Sequence, residues 1–307
     1  MTSPGCYSFQ SCFGPSHLRN KNIEYEQVDT PESSGQNSQP PVSEYREFPV
    51  PPELLSYFLC FWTQTILGGP QRYVHRVLPD GCVDIVFINN EPPVVVGPWT
   101  GPLLVKFSGG TRVCGVRLRP GCASAVLGVP AVQLLNRSAE LSAVWGTRRR
   151  AGIAVVAERP TLSERRAALS EALIADLRAA KQVDEAVVAS ISWLSRHNAG
   201  SIRGLSAWLG MSNRQIQRRF LTAIGYGPKM LQSVLRFQRL LYALHRGRSG
   251  RSLADLAAGL GYSDQAHMTR QVQSFAGCSP TALLSSTECT LMMSDLFKTH
   301  DSVPIYR

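Results

Sequence analysis

Residues 205–220 read Leu205-Ser-Ala-Trp-Leu-Gly-Met-Ser-Asn-Arg-Gln-Ile-Gln-Arg-Arg-Phe220, and residues 256–272 repeat the pattern as Leu256-Ala-Ala-Gly-Leu-Gly-Tyr-Ser-Asp-Gln-Ala-His-Met-Thr-Arg-Gln-Val272. Gly210 and Gly261 hold the same position in the two copies. Each copy is closed by a Gly-x-x-Pro segment. An array of stacked repeats needs at least three units. Two copies therefore predict two similar modules that lie side by side.

The first copy carries the start and stop signals of two short helices. Ser201 is a residue type that caps helices and Gly210 is one that ends them, so the first helix is expected between them. Ser212 then caps a second helix over residues 213–223. Helix, glycine turn and helix form the helix-turn-helix pattern, in which the second helix enters the major groove of DNA.

The second copy has the same signals. Ser252 and Gly261 delimit its first helix, and Ser263 or Asp264 caps its second helix. A long helix over residues 228–245, with apolar residues at helical spacing, connects the two copies. The C-terminal part is therefore predicted as an all-α domain of two helix-turn-helix units joined by a long helix.

Positive charge is concentrated in the repeat region. The whole chain has a formal net charge of +10. Residues 201–283 contain eleven Lys and Arg residues against the two acids Asp255 and Asp264, and so account for nine of those ten charges. Such clustering is typical of a nucleic-acid surface, although a membrane-surface role would fit the charge alone.

The outward faces of the second helices carry side chains suited to reading bases. Ile216 and Phe220 face inward in the first copy, as do Met268 and Val272 in the second. The residues left outward are Arg214, Gln217 and Arg218 in the first copy, and Gln265, Ala266, Thr269 and Arg270 in the second. Arginine pairs well with guanine, and glutamine with adenine, in the major groove.

Residues 202–283 resemble the DNA-binding domain of AraC/XylS-type transcription regulators, on the two runs quoted above and on Gly277-Cys-Ser-Pro280. The resemblance implies the same seven base-reading positions. Phosphate contact is predicted for Ser201, Ser212, Arg219, Lys229, Arg236, Arg251 and Ser263. For the basic side chains among them, plain solvation is an open alternative. Val272 departs from the phenylalanine usual in the family, and Ala266 offers no hydrogen bond. We therefore expect the first copy to select the site and the second to anchor the protein.

The resemblance implies double-stranded DNA as the partner, read in consecutive major grooves about 34 Å apart. RNA polymerase is a further partner if the protein is an activator, and a small-molecule effector and a homodimer are also implied. The alternative is a protein-interaction module that retains the helix-turn-helix fold without specific DNA binding.

A β-rich domain is expected over residues 45–150. Short β-branched runs between turn residues predict strands over residues 72–78, 82–88, 93–97, 103–108 and 111–118. Gly109-Gly110 predicts a hairpin between the last two strands. Apolar residues at helix-like spacing predict a helix over residues 53–65. Together with the all-α domain over residues 183–284, this gives an α+β chain with short helices in its β-rich part.

Part of this domain also resembles known regulators. Residues 75–84, 96–99 and 115–121 resemble the β-rich region ahead of the DNA-binding domain in a subset of AraC-type proteins. The role that this resemblance implies is effector sensing or dimerisation.

The remaining segments give weaker signals. Residues 1–44 are rich in Ser, Pro, Gln, Asn and Gly, which predicts a disordered leader. Residues 151–182 are predicted as a linker helix, and residues 285–307 as a tail without a motif. Solvated charges are expected on the outer face of that helix at Glu164, Arg165, Arg166, Glu171 and Arg178.

Asp84 lies within an apolar strand, so its carboxylate needs a partner if it is buried. Arg76, Arg117 or Arg119 could provide an ion pair, and ligand contact by His75, Asp84 and Arg117 is the alternative. Asp80 falls in a Pro-Asp-Gly turn, where aspartate is common for local reasons. Catalysis is therefore disfavoured, and the protein is not expected to be an enzyme.

The eight cysteines include no Cys-x-x-Cys pair and no Cys/His cluster at zinc spacing. No metal and no cofactor are therefore expected. The chain lacks a secretory signal and any run of eighteen apolar residues. These features predict a cytoplasmic protein with reduced thiols and no membrane partner.

Overall fold

The computed structural model of this protein describes residues 23–27, 43–68, 72–145, 147–177, 180, 182–196, 202–245 and 252–285. The strands are β1 (Ile23–Gln27), β2 (Ser43–Pro49), β3 (Phe58–Ile66), β4 (Tyr73–Val77), β5 (Val83–Ile88), β6 (Val94–Val96), β7 (Leu103–Phe107), β8 (Arg112–Leu118) and β9 (Ser138–Glu140). The helices are α1 (Ala123–Leu127), α2 (Leu141–Val144), α3 (Thr147–Glu158), α4 (Leu162–Leu177), α5 (Glu185–Leu194), α6 (Ile202–Leu209), α7 (Asn213–Ala223), α8 (Pro228–His245), α9 (Leu253–Gly259), α10 (Gln265–Ala276) and α11 (Pro280–Ser285). The predicted α+β class, with strands first and an all-helical part last, is confirmed.

The strands form two antiparallel sheets that pack face to face. One sheet has the order β2-β3-β8-β5-β6-β9 and the other has the order β1-β7-β4. Side chains from both sheets share one core, which includes Trp62 on β3, Val86 on β5 and Phe107 on β7. The other face of the larger sheet is covered by helices α1 to α4, which contribute to a second core. All five predicted strands are present, as β4 to β8.

The predicted hairpin at Gly109-Gly110 is wrong. The segment connects β7 in the smaller sheet to β8 in the larger one, so it crosses between layers. Both edges of β7 are already paired, with β1 and β4, and β8 pairs with β3 and β5. Gly110 has φ +81° and donates its N–H to the carbonyl of Ile66 on the opposite layer. Sequence alternation alone does not distinguish such a crossing from a hairpin.

The predicted helix over residues 53–65 is also wrong. Only Pro52–Leu54 forms a short 3-10 turn, and the chain then continues as the nine-residue strand β3. β3 lies between β2 and β8 in its sheet and is buried on both faces from Cys60 to Gln64. A strand buried on both faces loses the alternation that identifies strands, and its apolar residues then fit a helical spacing by chance.

Two of the predicted segment boundaries need correction. The leader predicted as disordered over residues 1–44 contains β1, which pairs along its whole length with β7. Backbone hydrogen bonds to an existing sheet can order a segment that has little apolar surface of its own. Residues 151–182 are not a separate linker, because Ile153, Val156 and Leu169 are buried in the core under the larger sheet. Residues 1–22, and the tail beyond Ser285, lie outside the described residues.

Arg165 on α4 is buried rather than solvated, with an exposed fraction of 2%. Its guanidinium donates hydrogen bonds to the carbonyl oxygens of Asn89, Ala157 and Arg159 and to the side chain of Asn90. A single arginine therefore joins the β5–β6 turn to the α3–α4 connection. Glu164 and Glu171 on the same helix are exposed, as predicted, whereas Arg178 lies outside the described residues.

We expect Arg165→Ala to lower the free energy of unfolding by about 3 kcal/mol or more, because several buried carbonyl groups lose their donor at once. Urea unfolding followed by far-UV circular dichroism measures this change. Glu171→Ala on the same helix is the matched control and should change stability by less than about 0.5 kcal/mol. Equal stability of the two variants would show that the Arg165 hydrogen bonds make no net contribution to the free energy of unfolding.

Candidate nucleic-acid interface and adjoining cavity

Helix α7 is built to present a polar face. Ser212 caps it, and a reciprocal capping box joins the Ser212 side chain to the N–H of Gln215 and the Gln215 side chain back to Ser212. Ile216 and Phe220 are buried, which fixes the inward face. Arg214 and Arg218 are exposed on the other side. The structure thus places both predicted base-reading arginines on one solvent-facing surface of a capped helix.

The side chain of Gln217 lies against Gly227, in the segment that follows α7. It is exposed, but a Cβ atom added to Gly227 would come within 2.4 Å of its side-chain oxygen Oε1. The carboxamide therefore occupies the space that a side chain at position 227 would fill. Base contact by Gln217 would require this flexible side chain to turn away from Gly227.

Helix α10 is capped by Asp264, whose carboxylate accepts the N–H of His267. Of the two predicted caps, Asp264 and not Ser263 makes this bond. Gln265, Ala266 and Arg270 are exposed, whereas Thr269 is half-buried and its hydroxyl donates to the carbonyl of Gln265. Val272 is fully buried beside Met268 and Phe275, so its smaller side chain still forms part of the core.

The predicted phosphate-contacting residues differ in their surroundings. Lys229 is exposed, and Ser212 and Ser263 are exposed at the starts of the second helices. Arg219 forms an ion pair of 2.7 Å with Asp184, the residue that caps α5. Arg236 lies over the ring of Tyr262 at 5.2 Å. Ser201 and Arg251 lie outside the described residues.

Both helix-turn-helix units share a single hydrophobic core. Helix α8 runs through its centre with Leu231, Phe237 and Leu241 buried. Phe220 from α7 and Phe275 from α10 pack into the same cluster, and Phe275 meets Phe237 edge-on at 5.3 Å. The relative position of the two reading helices is therefore fixed by packing rather than by a flexible linker.

The β4–β5 loop of the N-terminal part is inserted into this core. Leu78 and Cys82 are buried within the helical cluster. The buried side chain of Gln238 on α8 donates a hydrogen bond of 2.7 Å to the carbonyl of Pro79. A Cβ atom added to Gly81 would lie 3.2 Å from the hydroxyl of Tyr226. The loop thus contacts both the connector helix and the segment that follows α7.

The C-terminal ends of both reading helices rest against the β-rich part. Gly225, just after α7, is so close to Pro98 and Ala131 that an added Cβ would lie 2.9 Å from Pro98 and 3.1 Å from the carbonyl oxygen of Ala131. Arg76 on β4 donates a hydrogen bond to the carbonyl of Ala276, the last residue of α10. A cation at a helix C-terminus also interacts favourably with the helix dipole. The helix N-termini, where base contacts are predicted, face away from these contacts along each helix.

A cavity that opens to solvent lies between the two sheets. It brings together the three predicted ligand or ion-pair residues. The Arg117 guanidinium donates to both carboxylate oxygens of Asp84, at 3.1 and 3.3 Å. The side chain of His75 lines the same cavity. Of the three candidate arginines, Arg117 is the one paired with Asp84, and the pair lies in the cavity wall.

Charges in the cavity are strongly influenced by burial. Burial, with a smaller contribution from Arg117, lowers the pKa of His75 to about 4, so its imidazole is neutral at pH 7. Burial also raises the pKa of Asp80 above its usual value. The Asp80 carboxylate accepts the N–H of Cys82, as expected for a turn aspartate, but it also lines the cavity 3.8 Å from Arg117.

Sequence reasoning missed the aromatic and amide residues of the cavity. Trp62 and Gln64 on β3 point into it, as does Tyr45 on β2. The first two were hidden because β3 was interpreted as a helix. Correct strand pairing would have revealed them, since Trp62 lies opposite Gly115 and that glycine leaves room for the indole ring.

Within the described residues there is no group of three or more potential metal ligands and no helix that is long and apolar enough to cross a membrane. The five described cysteines, at positions 60, 82, 114, 122 and 278, are free thiols.

Comparison with known proteins finds family matches for two stretches of the chain. Residues 46–140 match a family described as a domain of unknown function, DUF6597. Residues 205–286 match a family described as a helix-turn-helix domain. No curated protein matches the chain in sequence.

Several solved structures are similar over most of the chain. A variant of apo ToxT from Vibrio cholerae is 10% identical, with a TM-score of 0.39, over 85% of this chain and 100% of that one. ToxT bound to an unsaturated fatty acid, from the same species, is 12% identical, with a TM-score of 0.37, over 82% of this chain and 97% of that one.

Proposed function

Because residues 205–286 form an AraC-type helix-turn-helix domain, we propose that this protein is a sequence-specific DNA-binding transcription regulator. The observation that carries the proposal is the outward face of α7. Arg214 and Arg218 are exposed on a helix whose start is capped and whose opposite face is buried. Arginines so placed can reach guanine edges in the major groove.

The second helix-turn-helix unit extends the reading surface. Since α7 and α10 share a core with α8, the spacing between α7 and α10 is fixed before the protein binds DNA. Two such helices suit consecutive major grooves, about 34 Å apart on one face of the duplex. We assign selection of the site to Arg214, Gln217 and Arg218 and anchoring to α10, where Arg270 is the single charged residue of the four predicted base readers.

The cavity between the sheets supports regulation by a small-molecule effector. Arg76 and Asp80 both line it, and each belongs to a segment that contacts the helical part. A molecule that moves β4 or the β4–β5 loop would therefore alter the support of α8 and α10. In this proposal the β-rich part senses the effector. RNA polymerase and a second copy of the protein are its further proposed partners.

Sequence selection from a random duplex library with the full-length protein tests the proposed function. A regulator enriches a defined motif, with one information-rich segment read by α7 and a less specific segment about one helical turn away where α10 anchors. The alternative of a protein-interaction module has one feature in its favour, the exposed side chain of Trp208 on α6. That alternative predicts no enriched motif at physiological salt, and such a result would overturn the proposal.

We expect Gly81→Val to weaken binding to the selected motif by about tenfold, although Gly81 is remote from the reading faces. Its side chain would press on Tyr226 and Leu231 and displace the segment between α7 and α8. Gel-shift titration of the purified variant measures the change.

Gly128→Val provides the matched control for this experiment. Gly81 and Gly128 have nearly equal φ angles, +82° and +79°, so a valine strains the backbone similarly at both positions. A side chain at position 128, however, meets nothing within 4 Å. We expect Gly128→Val to lose stability but to keep its affinity for DNA. An equal loss of DNA affinity in both variants would contradict coupling through the β4–β5 loop.

A further inference from the structure

Two carboxylates and one guanidinium meet at the polar end of the cavity. The carboxylates of Asp80 and Asp84 both face the single guanidinium of Arg117. Arg76 also lines the cavity and donates a hydrogen bond to the carbonyl of Ala276 in the helical part. The imidazole of His75 is neutral and contributes no charge at pH 7.

The Asp80 carboxylate accepts fewer hydrogen bonds than the Asp84 carboxylate does. Arg117 satisfies Asp84 with two hydrogen bonds, and the indole N–H of Trp62 adds a third at 3.3 Å. For Asp80, one oxygen accepts the N–H of Cys82 at 2.8 Å, while the other lies 3.8 Å from Arg117, beyond hydrogen-bond distance. The raised pKa of Asp80 follows from burying this poorly paired charge. A cation near Asp80 would relieve that cost.

Aromatic rings line the same cavity. Trp62 and Tyr45 lie with their ring centroids 6.0 Å apart on neighbouring strands, and Trp62 covers Gly115. Tryptophan and tyrosine faces attract ammonium groups by cation–π interaction. The phenol hydroxyl of Tyr45 is engaged with Glu47 at 2.6 Å, so the tyrosine offers its ring rather than a free donor to the cavity.

Apart from Gln64 and His75, the rest of the cavity lining is mostly apolar. Its wall beyond the charged end is formed by Val86 and Ile88 on β5, Val105 and Phe107 on β7, and Val113 on β8. These side chains can receive an alkyl or aryl group and offer it no polar partner. A ligand that fits both ends carries one cationic head and one hydrophobic body.

We propose that this cavity binds a hydrophobic primary amine, with its ammonium group at Asp80 and its apolar body between β5 and β7. The proposal rests on the proposed function only in that the amine would be the effector of the regulator. Charge selects the ligand class, because Arg117, the guanidinium nearest Asp80, already donates to both carboxylate oxygens of Asp84.

Isothermal titration calorimetry of the full-length protein at pH 7.4 tests this with three probes of equal chain length: octylamine, octan-1-ol and octanoate. We expect octylamine to bind at least about tenfold more tightly than octan-1-ol, and octanoate to bind most weakly. Equal affinities would indicate unspecific partition into an apolar cavity and would overturn the proposal. Tighter binding of octanoate, or no binding of any n-alkylamine from butylamine to dodecylamine, would also overturn it.

Asp80→Asn should reduce the octylamine preference over octan-1-ol to less than about twofold, since the amide keeps the shape and removes the charge. Glu171→Gln, which removes one exposed carboxylate on α4, is the matched control and should leave the preference intact. If Asp80→Asn does not fold, the ranking of the three probes on the wild-type protein still decides the question.

The calorimetry contains no DNA, so its outcome is independent of the proposed regulator function. Gel shifts with and without octylamine give the second readout. Motif binding without amine binding would overturn only the ligand class, whereas amine binding without motif binding would overturn only the regulator.

Discussion

Arg214→Ala combined with Arg218→Ala is expected to remove specific binding to the selected DNA motif while leaving weak binding to unrelated duplexes. Each good arginine–guanine contact contributes about 1–3 kcal/mol of discrimination, so the double variant should lose roughly 30-fold to 10⁴-fold in affinity for the motif. Both side chains are exposed, and neither contributes to the core around Ile216 and Phe220. The loss should therefore occur without a change in thermal stability.

The measurement is a gel-shift titration of the motif and of a scrambled duplex at one fixed salt concentration, because phosphate contacts make every affinity depend on salt. Arg46→Ala combined with Arg137→Ala is the matched control. It removes the same charge from two exposed positions in the β-rich part. Equal losses in the two double variants would mean that net charge, and not base reading by α7, accounts for the binding.

Gly97→Ala is expected to cost about 4 kcal/mol or more of stability, which corresponds to a fall in Tm of about 10 °C. A Cβ atom at position 97 would lie 1.8 Å from the carbonyl oxygen of Leu134 and 2.7 Å from its carbonyl carbon. Gly97 also donates its N–H to the carbonyl of Arg137 at 2.9 Å. Because both obstructing atoms belong to the backbone, no rotation of a side chain can relieve the clash.

Differential scanning fluorimetry of Gly97→Ala beside Gly101→Ala tests this expectation. Gly101 follows closely in the same loop, yet an added Cβ would approach only the Ser274 carbonyl oxygen, at an ordinary contact distance of 3.5 Å. Gly101→Ala should change the Tm by no more than about 2 °C. If the two variants have the same Tm, the Leu134 carbonyl does not lie this close to Gly97 in solution.

The two halves of the chain differed in how well their sequences predicted them. In the repeat, caps and helix faces are determined within about ten residues, so Ser212, Ile216 and Phe220 were sufficient to orient α7. In the β-rich part the identity of each strand's neighbours depends on residues far along the chain. β7 and β8 are separated by a short turn, yet they lie in different sheets because β1 and β4 occupy both edges of β7.

The candidate cavity shows the same limit on prediction. Asp84 was identified as needing a charged partner, with Arg76, Arg117 and Arg119 as the candidates, because burying an isolated charge is costly. That Asp84 pairs with Arg117 follows from the register of β5 and β8, which places the two residues directly opposite. Arg165 gave no signal of burial, since its partners are backbone carbonyls in turns that only the folded chain brings together.

By itself, the sequence determined the doubled helix-turn-helix unit, its caps, and the basic face expected to meet DNA, because each depends on local spacing and local hydrogen bonds. Only the tertiary structure decided that one core joins both units, that the β4–β5 loop enters this core, and that Asp80 connects it to a cavity between two sheets. The reason is physical. Contacts between residues 79 and 238, or 76 and 276, arise when separately formed surfaces bury each other, and no local pattern specifies which surfaces will meet.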